Sequence, residues 1–281
     1  MLPKFRYLRP GTLDEALGLL RDCDDSTRIL AGGTDLLIGM HEGVHAPECL
    51  VDIKGIAQLH TIGFTEDGIL LIGACVTVNQ LTESDTMTGP MQAIHEAASV
   101  LATYQIRNRA TVGGNLCNAS PACDLGPPLL VLDAQLRLVS KQGARLVSLK
   151  DFFSGVKTTC CEVSEVVTEV VIPPSSGTVS AFLKQGRIRG HDLSVVNAAG
   201  AIGNGGGLRL ALGAVGTTPL LIDGLKGAGV DDRQQVIDTV LRAIAPIDDV
   251  RGSGLYRKRM AEFMTGEILD LLKRRLKQGG T

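Results

Sequence analysis

Two glycine pairs in the sequence have neighbouring residues typical of phosphate-binding loops. They lie in AGGTD, residues 31–35, and in TVGGN, residues 111–115. Backbone N–H groups bind a diphosphate, and glycine lacks the Cβ atom that would keep the backbone away from the ligand. One such pair alone indicates only a tight turn. Because both pairs follow an apolar stretch and precede hydrogen-bonding side chains, together they predict two loops that hold a dinucleotide diphosphate from both sides.

The surrounding residues narrow the kind of nucleotide site. Neither glycine pair fits the GxGxxG pattern of a Rossmann fold or the GxxxxGK pattern of a P-loop. Asp124 follows the second pair, and a carboxylate near a bound nucleotide usually accepts hydrogen bonds from sugar hydroxyls. The alternative is that Asp124 caps the helix predicted over residues 125–132, and one residue can do both.

No other pattern indicates a metal centre or a hydrolytic site. Cys117 and Cys123 are separated by five residues and have no second pair nearby, which suits neither zinc nor iron–sulfur ligation, so small buried thiols are expected. His41 and His45 flank Gly43 and are predicted to lie in a loop. The sequence has no GxSxG motif and no paired-carboxylate signature. Nothing therefore indicates hydrolysis by a side-chain nucleophile.

The composition limits the partners and the compartment. The 281 residues carry a net charge of −2 and 3% aromatic side chains, which argues against a nucleic-acid surface. No apolar run reaches the length of a membrane span, and the N-terminus lacks the apolar region of a secretory signal. The seven cysteines are scattered without a CxxC pair, so reduced thiols in the cytoplasm are expected.

The elements that would position these residues fall into two domains. Pro173 to Gly177 predicts a linker between an α+β domain at 1–173 and a smaller α+β domain at 178–281. Periodicity, turn residues and a capping box at Thr12 and Glu15 predict the first domain, with helices at 12–21, 78–84 and 90–102 and strands at 28–31, 49–53, 60–63, 69–73, 135–140, 144–149 and 166–172. The second domain is predicted to contain a three-stranded antiparallel sheet at 179–185, 194–203 and 207–215, with a turn at 204–206, and helices at 231–244 and 254–277.

Four motifs give the chain a family resemblance. They are, in chain order, AGGTDLL at 31–37, TVGGNLCNASPACDLGPPLLVLDA at 111–134, SAFLKQGRIRGHDLSVVNAA at 180–199 and SGLYRKRM at 253–260. With these motifs the chain resembles, over essentially its whole length, the FAD-binding (medium) subunit of the molybdenum hydroxylases, the xanthine dehydrogenase and carbon monoxide dehydrogenase family. The resemblance implies a vanillyl-alcohol-oxidase (PCMH)-type FAD-binding domain of two α+β subdomains, at about 1–56 and 57–173, and a small α+β domain after it.

The resemblance also implies which residues bind the FAD diphosphate. They form a first glycine segment, residues 29–36, and a second glycine segment, residues 111–115. Side chains of the first would add contacts from Thr34 and Asp35. The implied residues are Ile29, Leu30, Ala31, Gly32, Gly33, Thr34, Asp35, Leu36, Thr111, Val112, Gly113, Gly114 and Asn115.

The rest of the implied FAD site is spread along the chain. Asp124 would bind FAD hydroxyls. Asn118 and Ser120 would lie near the flavin or ribityl. Leu101 and Val167 would pack on the cofactor. Lys184 would lie near the pyrimidine edge, where a cation favours the reduced anionic flavin. Without the resemblance, Lys184 would be expected as an exposed strand lysine. Leu193 stands where carbon monoxide dehydrogenases place a tyrosine over the flavin, and an aliphatic residue there resembles the xanthine dehydrogenases.

The resemblance implies an electron-transfer role. In this family the substrate is hydroxylated on a large molybdopterin-binding subunit, and electrons pass through two [2Fe–2S] clusters of a small subunit to the FAD and then to NAD⁺, a quinone or another acceptor. A dimer of heterotrimers is implied, and no residue of this chain is expected to be catalytic or to bind metal. Two alternatives are a stand-alone flavin oxidoreductase of the same fold and a non-catalytic nucleotide-binding subunit.

Overall fold

Three main β-sheets and one two-stranded ribbon organise the chain. The computed structural model describes residues 2–21, 23–24, 26–188, 192–203 and 207–279. Within these residues, the first sheet is parallel, and the second and third are antiparallel. Helices pack against the sheets, as expected of an α+β fold.

The N-terminal sheet is small and parallel, with strand order β1-β3-β2. Its elements are β1 (Arg6–Leu8), α1 (Leu13–Leu20), β2 (Thr27–Leu30), α2 (Leu36–His41) and β3 (Cys49–Asp52). Thr12 caps α1 as predicted, because its hydroxyl accepts a hydrogen bond from Glu15 N at 3.2 Å. The Glu15 carboxylate bonds to Gly11 N, one residue before the position that a full capping box uses.

The central sheet has five antiparallel strands in the order β4-β5-β10-β6-β7. Both predicted hairpins are confirmed, and the predicted helix at 90–102 begins as a 3₁₀ turn at Gly89–Met91. The elements of this part are β4 (Ile62–Phe64), β5 (Leu70–Gly73), α3 (Val78–Glu83), α4 (Gln92–Val100), α5 (Tyr104–Arg107), α6 (Val112–Cys117), α7 (Gly126–Val131), β6 (Gln135–Ser140), β7 (Gly143–Ser148), α8 (Leu149–Phe152), β8 (Phe153–Gly155), β9 (Thr158–Thr159) and β10 (Val166–Ile172).

The C-terminal sheet has four antiparallel strands, so the prediction of three is wrong. The extra strand contains two residues, which is too short to show a period in the sequence. The turn predicted at 204–206 lies outside the described residues. The elements are β11 (Val179–Gln185), β12 (Val196–Ile202), β13 (Leu208–Gly213), β14 (Leu220–Leu221), α9 (Arg233–Ala243) and α10 (Gly254–Gly279).

The C-terminal sheet is covered on both faces, and every residue of β12 is buried. On one face, Phe182 and Ala199 share a hydrophobic core with residues of α4 and α7, which precede the predicted linker. On the other face, residues such as Leu210 pack with α9 and α10. At Gly200, an added Cβ would lie 2.4 Å from Ile268 Cγ2, so α10 crosses the sheet too closely for a side chain there. The parts before and after the linker therefore share one core.

A buried arginine fixes the start of α10. Arg257 is 2% exposed, and its guanidinium donates to Val195 O at 2.6 Å, Ala214 O at 3.2 Å and Asp249 Oδ1 at 2.6 Å. Arg257 belongs to the motif SGLYRKRM, to which the sequence assigned no function. The structure shows that this motif anchors α10 to one end of the C-terminal sheet, where β12 begins and β13 ends.

Asp249 is expected to make stability depend on pH at the acid end. Although burial raises the pKa of the Asp249 carboxyl, hydrogen bonds from Arg251 and Arg257 outweigh it and lower the pKa to about 2. A carboxyl with a lowered pKa stabilises the fold above its unfolded value of about 4 and loses that contribution as the pH falls through the folded value. We expect the Tm of the wild type to fall more steeply between about pH 4 and 2 than that of Asp249→Asn. If the Tm of the wild type and of Asp249→Asn fell equally over this pH range, the lowered pKa of Asp249 would not contribute to stability.

Candidate functional site

The first glycine segment meets the backbone of the two residues that precede the second glycine segment. The first glycine segment runs from β2 into α2, and the second forms the beginning of α6. A Cβ atom added at Gly32 would lie 2.1 Å from the carbonyl oxygen of Arg109 and 3.0 Å from Ala110 Cα. Only glycine permits this approach, because backbone atoms cannot rotate away as a side chain can. Packing of the segments is a reason for glycine that the sequence analysis did not anticipate.

The first glycine segment offers a run of free donors. Its loop is partly exposed, and Gly33 has a φ of +76°, in the left-handed region that glycine adopts readily. Among the described residues, no acceptor binds five consecutive backbone N–H groups, which belong to Gly32, Gly33, Thr34, Asp35 and Leu36. Successive free N–H groups beside a helix start suit an anion such as a diphosphate.

The second glycine segment is helical, so the prediction of a loop is wrong there. Thr111 caps α6, and its hydroxyl accepts a hydrogen bond from Gly114 N at 3.1 Å. The N–H groups of Val112 and Gly113 donate to Val76 O and Ala74 O, both at 2.9 Å. These bonds offset the low helix propensity of the glycine pair. The protein itself uses the first N–H groups of α6, so the two segments are not equivalent.

Asn118 connects the first glycine segment to the end of α6. Its amide nitrogen donates to Asp35 Oδ1 at 2.9 Å, and its amide oxygen accepts from Lys157 Nζ at 2.8 Å. Lys157 has a φ of +58° in the turn between β8 and β9, and its backbone N–H donates to Ala119 O at 3.0 Å. Lys157 could not be identified from the sequence, because nothing in the residues around it indicates a contact with Asn118.

Asp124 and Lys184 form a buried ion pair. Asp124 Oδ2 lies 2.7 Å from Lys184 Nζ, and the two side chains are 8% and 9% exposed. Lys184 also donates to Val100 O at 3.2 Å, beside Leu101. Leu125, not Asp124, occupies the cap position of α7. The alternatives of a helix cap for Asp124 and an exposed strand lysine for Lys184 are therefore both wrong.

Two further residues complete the Asp124 cluster. Asp124 Oδ1 accepts hydrogen bonds from Ser194 Oγ at 2.5 Å and from Asn197 Nδ2 at 2.8 Å. Both residues lie within the third motif, but the sequence analysis gave them no role because their partner is 70 or more residues away. The cluster joins the loop before α7 to the strands of the C-terminal sheet.

The remaining predicted residues are placed around these two clusters. Leu101 ends α4 and Val167 lies on β10, and both are buried. Ser120 lies between α6 and α7, and its hydroxyl accepts from Ala122 N at 3.3 Å. Leu193 directly precedes Ser194 and is 59% exposed. Part of the motif that contains Leu193, residues 189–191, lies outside the described residues.

The cysteines carry no sign of metal binding. All seven are free thiols. The prediction of buried thiols is correct for Cys123, whose Sγ lies 2.9 Å from Asn115 Oδ1, but wrong for Cys117, which is exposed. Over the described part of the chain, no group of three or more His, Cys, Asp or Glu side chains could hold a metal ion.

The family of the chain follows from a comparison with known proteins. A family model described as the FAD binding domain in molybdopterin dehydrogenase matches residues 3–175. The chain belongs to this family. The resemblance seen in the four motifs is confirmed, and so are the α+β fold, the FAD cofactor and the assignment to an oxidoreductase.

Named relatives of the FAD-binding family match almost the whole chain. The xanthine dehydrogenase FAD-binding subunit of Escherichia coli O157:H7 is 32% identical over 276 residues, which are 94% of each chain. The carbon monoxide dehydrogenase medium chain of Afipia carboxidovorans is 32% identical and covers 99% of this chain and 100% of its own. A carbon monoxide dehydrogenase structure from Hydrogenophaga pseudoflava superposes with a TM-score of 0.90 at 29% identity, covering 98% of this chain and 99% of its own.

The residues present fit FAD. A diphosphate needs closely spaced donors, and the first glycine segment has five free N–H groups in a row. A nucleotide hydroxyl needs an acceptor, and an oxygen of Asp124 can supply one. In the described residues, no helix combines the length and the apolar character needed to span a membrane.

Proposed function

We propose that the chain is the FAD-carrying electron-transfer subunit of a heteromeric molybdenum hydroxylase. The observation that carries this proposal is the run of five free N–H groups in the first glycine segment, within the part matched by the FAD-binding family model. FAD, when bound, supplies one- and two-electron redox chemistry. The protein binds and orients the cofactor, and none of its side chains is required as an acid or a base.

We assign the diphosphate to the first glycine segment. The free N–H groups there support this assignment, and the Asp35–Asn118 hydrogen bond holds the segment against α6. In the buried cluster, Asp124 then binds the FAD hydroxyls and Lys184 lies at the pyrimidine edge of the flavin. The two residues before the second glycine segment, Arg109 and Ala110, contribute by holding the first segment through the contact at Gly32. The other proposed contacts are those that the resemblance implied, at Ser120, Leu101, Val167 and Leu193.

We further propose two partner chains, a large molybdopterin-binding subunit and a small subunit with two [2Fe–2S] clusters, in a dimer of heterotrimers. Relatives named as a "subunit" or a "medium chain" support a multi-chain complex, and the Hydrogenophaga enzyme is described as having a molybdenum cofactor whose Mo-pyranopterin moiety is missing in that structure. Seven free thiols support a cytoplasmic location. The family match that ends at residue 175 supports the division into domains at 1–173 and 178–281.

The substrate is chosen on the proposed large subunit. The relatives include xanthine, carbon monoxide and nicotinate dehydrogenases, and the xanthine and carbon monoxide relatives are each 32% identical to this chain. Leu193 supports a complex of the xanthine dehydrogenase type, because it is aliphatic where the resemblance places a tyrosine in carbon monoxide dehydrogenases.

The proposal is tested by purifying the chain with its co-purifying partners and adding NADH. Loss of the oxidised flavin band would identify NAD⁺ as the acceptor, and a band that NADH does not bleach would point to a quinone or another acceptor. A preparation that has no flavin band even after FAD is added would contradict the proposal and favour a non-catalytic subunit. Turnover of an organic substrate by the isolated chain would instead favour a stand-alone oxidoreductase.

A further inference from the structure

The Asp124 carboxylate is held mainly from the C-terminal sheet. Ser194 and Asn197 are completely buried, and Asp124 is 6% exposed. Ser194 and Asn197 both donate to Oδ1, while Lys184 donates to Oδ2. All three donors follow residue 175, where the match to the FAD-binding family model ends.

The two oxygens of Asp124 are used unequally. Each oxygen of an ionised carboxylate can accept about two hydrogen bonds. Oδ1 accepts from Ser194 and Asn197 and is therefore saturated, whereas Oδ2 accepts from Lys184 alone. One acceptor position remains on Oδ2. A ligand hydroxyl that reaches Asp124 therefore has one oxygen to bind.

Asn197 is held in one orientation at a cost. Its amide nitrogen donates to Asp124, to Ser194 Oγ at 3.2 Å and to Cys123 O at 3.3 Å. Its amide oxygen is buried and has no hydrogen-bond partner. That oxygen faces Gly213, where an added Cβ would lie 2.2 Å from it. A buried acceptor without a donor destabilises a fold, and rotating the amide would place this oxygen against the Asp124 carboxylate.

We propose that Ser194 and Asn197 are positioning residues for FAD. By saturating Oδ1 of Asp124, they direct the free acceptor position of Oδ2 towards a hydroxyl group of the cofactor. This inference rests on the proposed function. It adds that the part of the chain after the linker completes the FAD site through residues that act on Asp124.

The test compares two buried serines of the same domain. Ser194→Ala removes a donor to Asp124, and Ser180→Ala removes a hydroxyl that bonds to Pro90 O at 2.6 Å. FAD affinity of the full chain is measured by titration of flavin fluorescence, and stability without FAD by thermal unfolding. We expect Ser194→Ala to weaken FAD binding about tenfold, because it removes a hydrogen bond to a charged group. Ser180→Ala should change FAD affinity less than about twofold while lowering the Tm.

Rescue by threonine separates positioning from a general structural effect. Ser194→Thr keeps the hydroxyl and should restore FAD affinity to near that of the wild type. Equal loss of affinity in Ser194→Ala and Ser180→Ala, or wild-type affinity in Ser194→Ala, would overturn the inference. If the wild type itself binds no FAD, the proposed function fails. If the wild type binds FAD and Asp124→Asn weakens it while Ser194→Ala does not, only the role of Ser194 fails.

Discussion

Replacement of Gly32 by alanine is expected to weaken FAD binding strongly and to destabilise the fold. The new methyl group would lie 2.1 Å from the carbonyl oxygen of Arg109 and 2.9 Å from its carbonyl carbon. Because both are backbone atoms, the first glycine segment would have to move away from the chain that leads into the second. Overpacking of this kind costs about 3 kcal/mol. If the free energy of FAD binding becomes less favourable by the same amount, the affinity for FAD falls about a hundredfold.

The matched control for this substitution is Gly63→Ala. Gly63 lies on β4, and an added Cβ there would have no atom within 4 Å. FAD titration and urea unfolding of both variants would separate the contact at Gly32 from a general effect of replacing glycine. Unchanged FAD affinity in Gly32→Ala would show that the packing of the two segments does not shape the site.

Replacement of Arg257 by leucine is expected to give the largest loss of stability. The substitution would leave Asp249 and the carbonyl groups of Val195 and Ala214 without the guanidinium that now binds them. Asp249 would keep its ion pair with Arg251, but the carbonyl groups of Val195 and Ala214 would be left buried without a donor. An unsatisfied buried acceptor costs about 1–3 kcal/mol, so we expect the free energy of unfolding in urea to fall by roughly 2–6 kcal/mol for the two together.

Lys258→Ala provides the control, since Lys258 is exposed on the same turn of α10. Its free energy of unfolding should stay within about 0.5 kcal/mol of the wild type. Arg257→Leu should also weaken FAD binding, because Val195 is adjacent to Ser194, which holds Asp124. If Arg257→Leu proved as stable as the wild type, the buried guanidinium would not be what anchors α10.

Local patterns predicted most of the secondary structure. Thr12 was correctly identified as a helix cap, and the hairpin of β6 and β7 was found from its alternation and its turn. The glycine pair that includes Gly113 was wrongly predicted to be a loop. The N–H groups of this helix start donate to the carbonyl groups of Val76 and Ala74. Such bonds involve residues that are distant in sequence, and no periodicity reports them.

The candidate site shows the same division between local and distant information. The glycine pairs indicated that the backbone comes close to another group. The sequence could not reveal that this group is the backbone of Arg109, some 77 positions after Gly32. Asp124 and Lys184 were each named through the family motifs, whereas their ion pair and the saturation of Oδ1 by Ser194 needed the folded chain. A sequence motif shows that a polar residue is present but does not show which distant residue it bonds to. Those partners are seen only in the folded chain.

Amide hydrogen exchange at the first glycine segment tests whether FAD binds to its free N–H groups. The full chain is compared with and without FAD, at single-residue resolution, over residues 29–36 and 111–115. Backbone N–H groups without acceptors exchange fast, and a bound acceptor protects them. Residues 112–114 serve as an internal reference, because the N–H groups of Val112, Gly113 and Gly114 are already bonded within the protein.

We expect the N–H groups of Gly32 to Leu36 to exchange rapidly without FAD and to become protected when FAD is added, while Val112 to Gly114 are slow in both states. Retention of the flavin band together with unchanged exchange at Gly32 to Leu36 would contradict the account, because FAD would then be held without the donors on which the site is built.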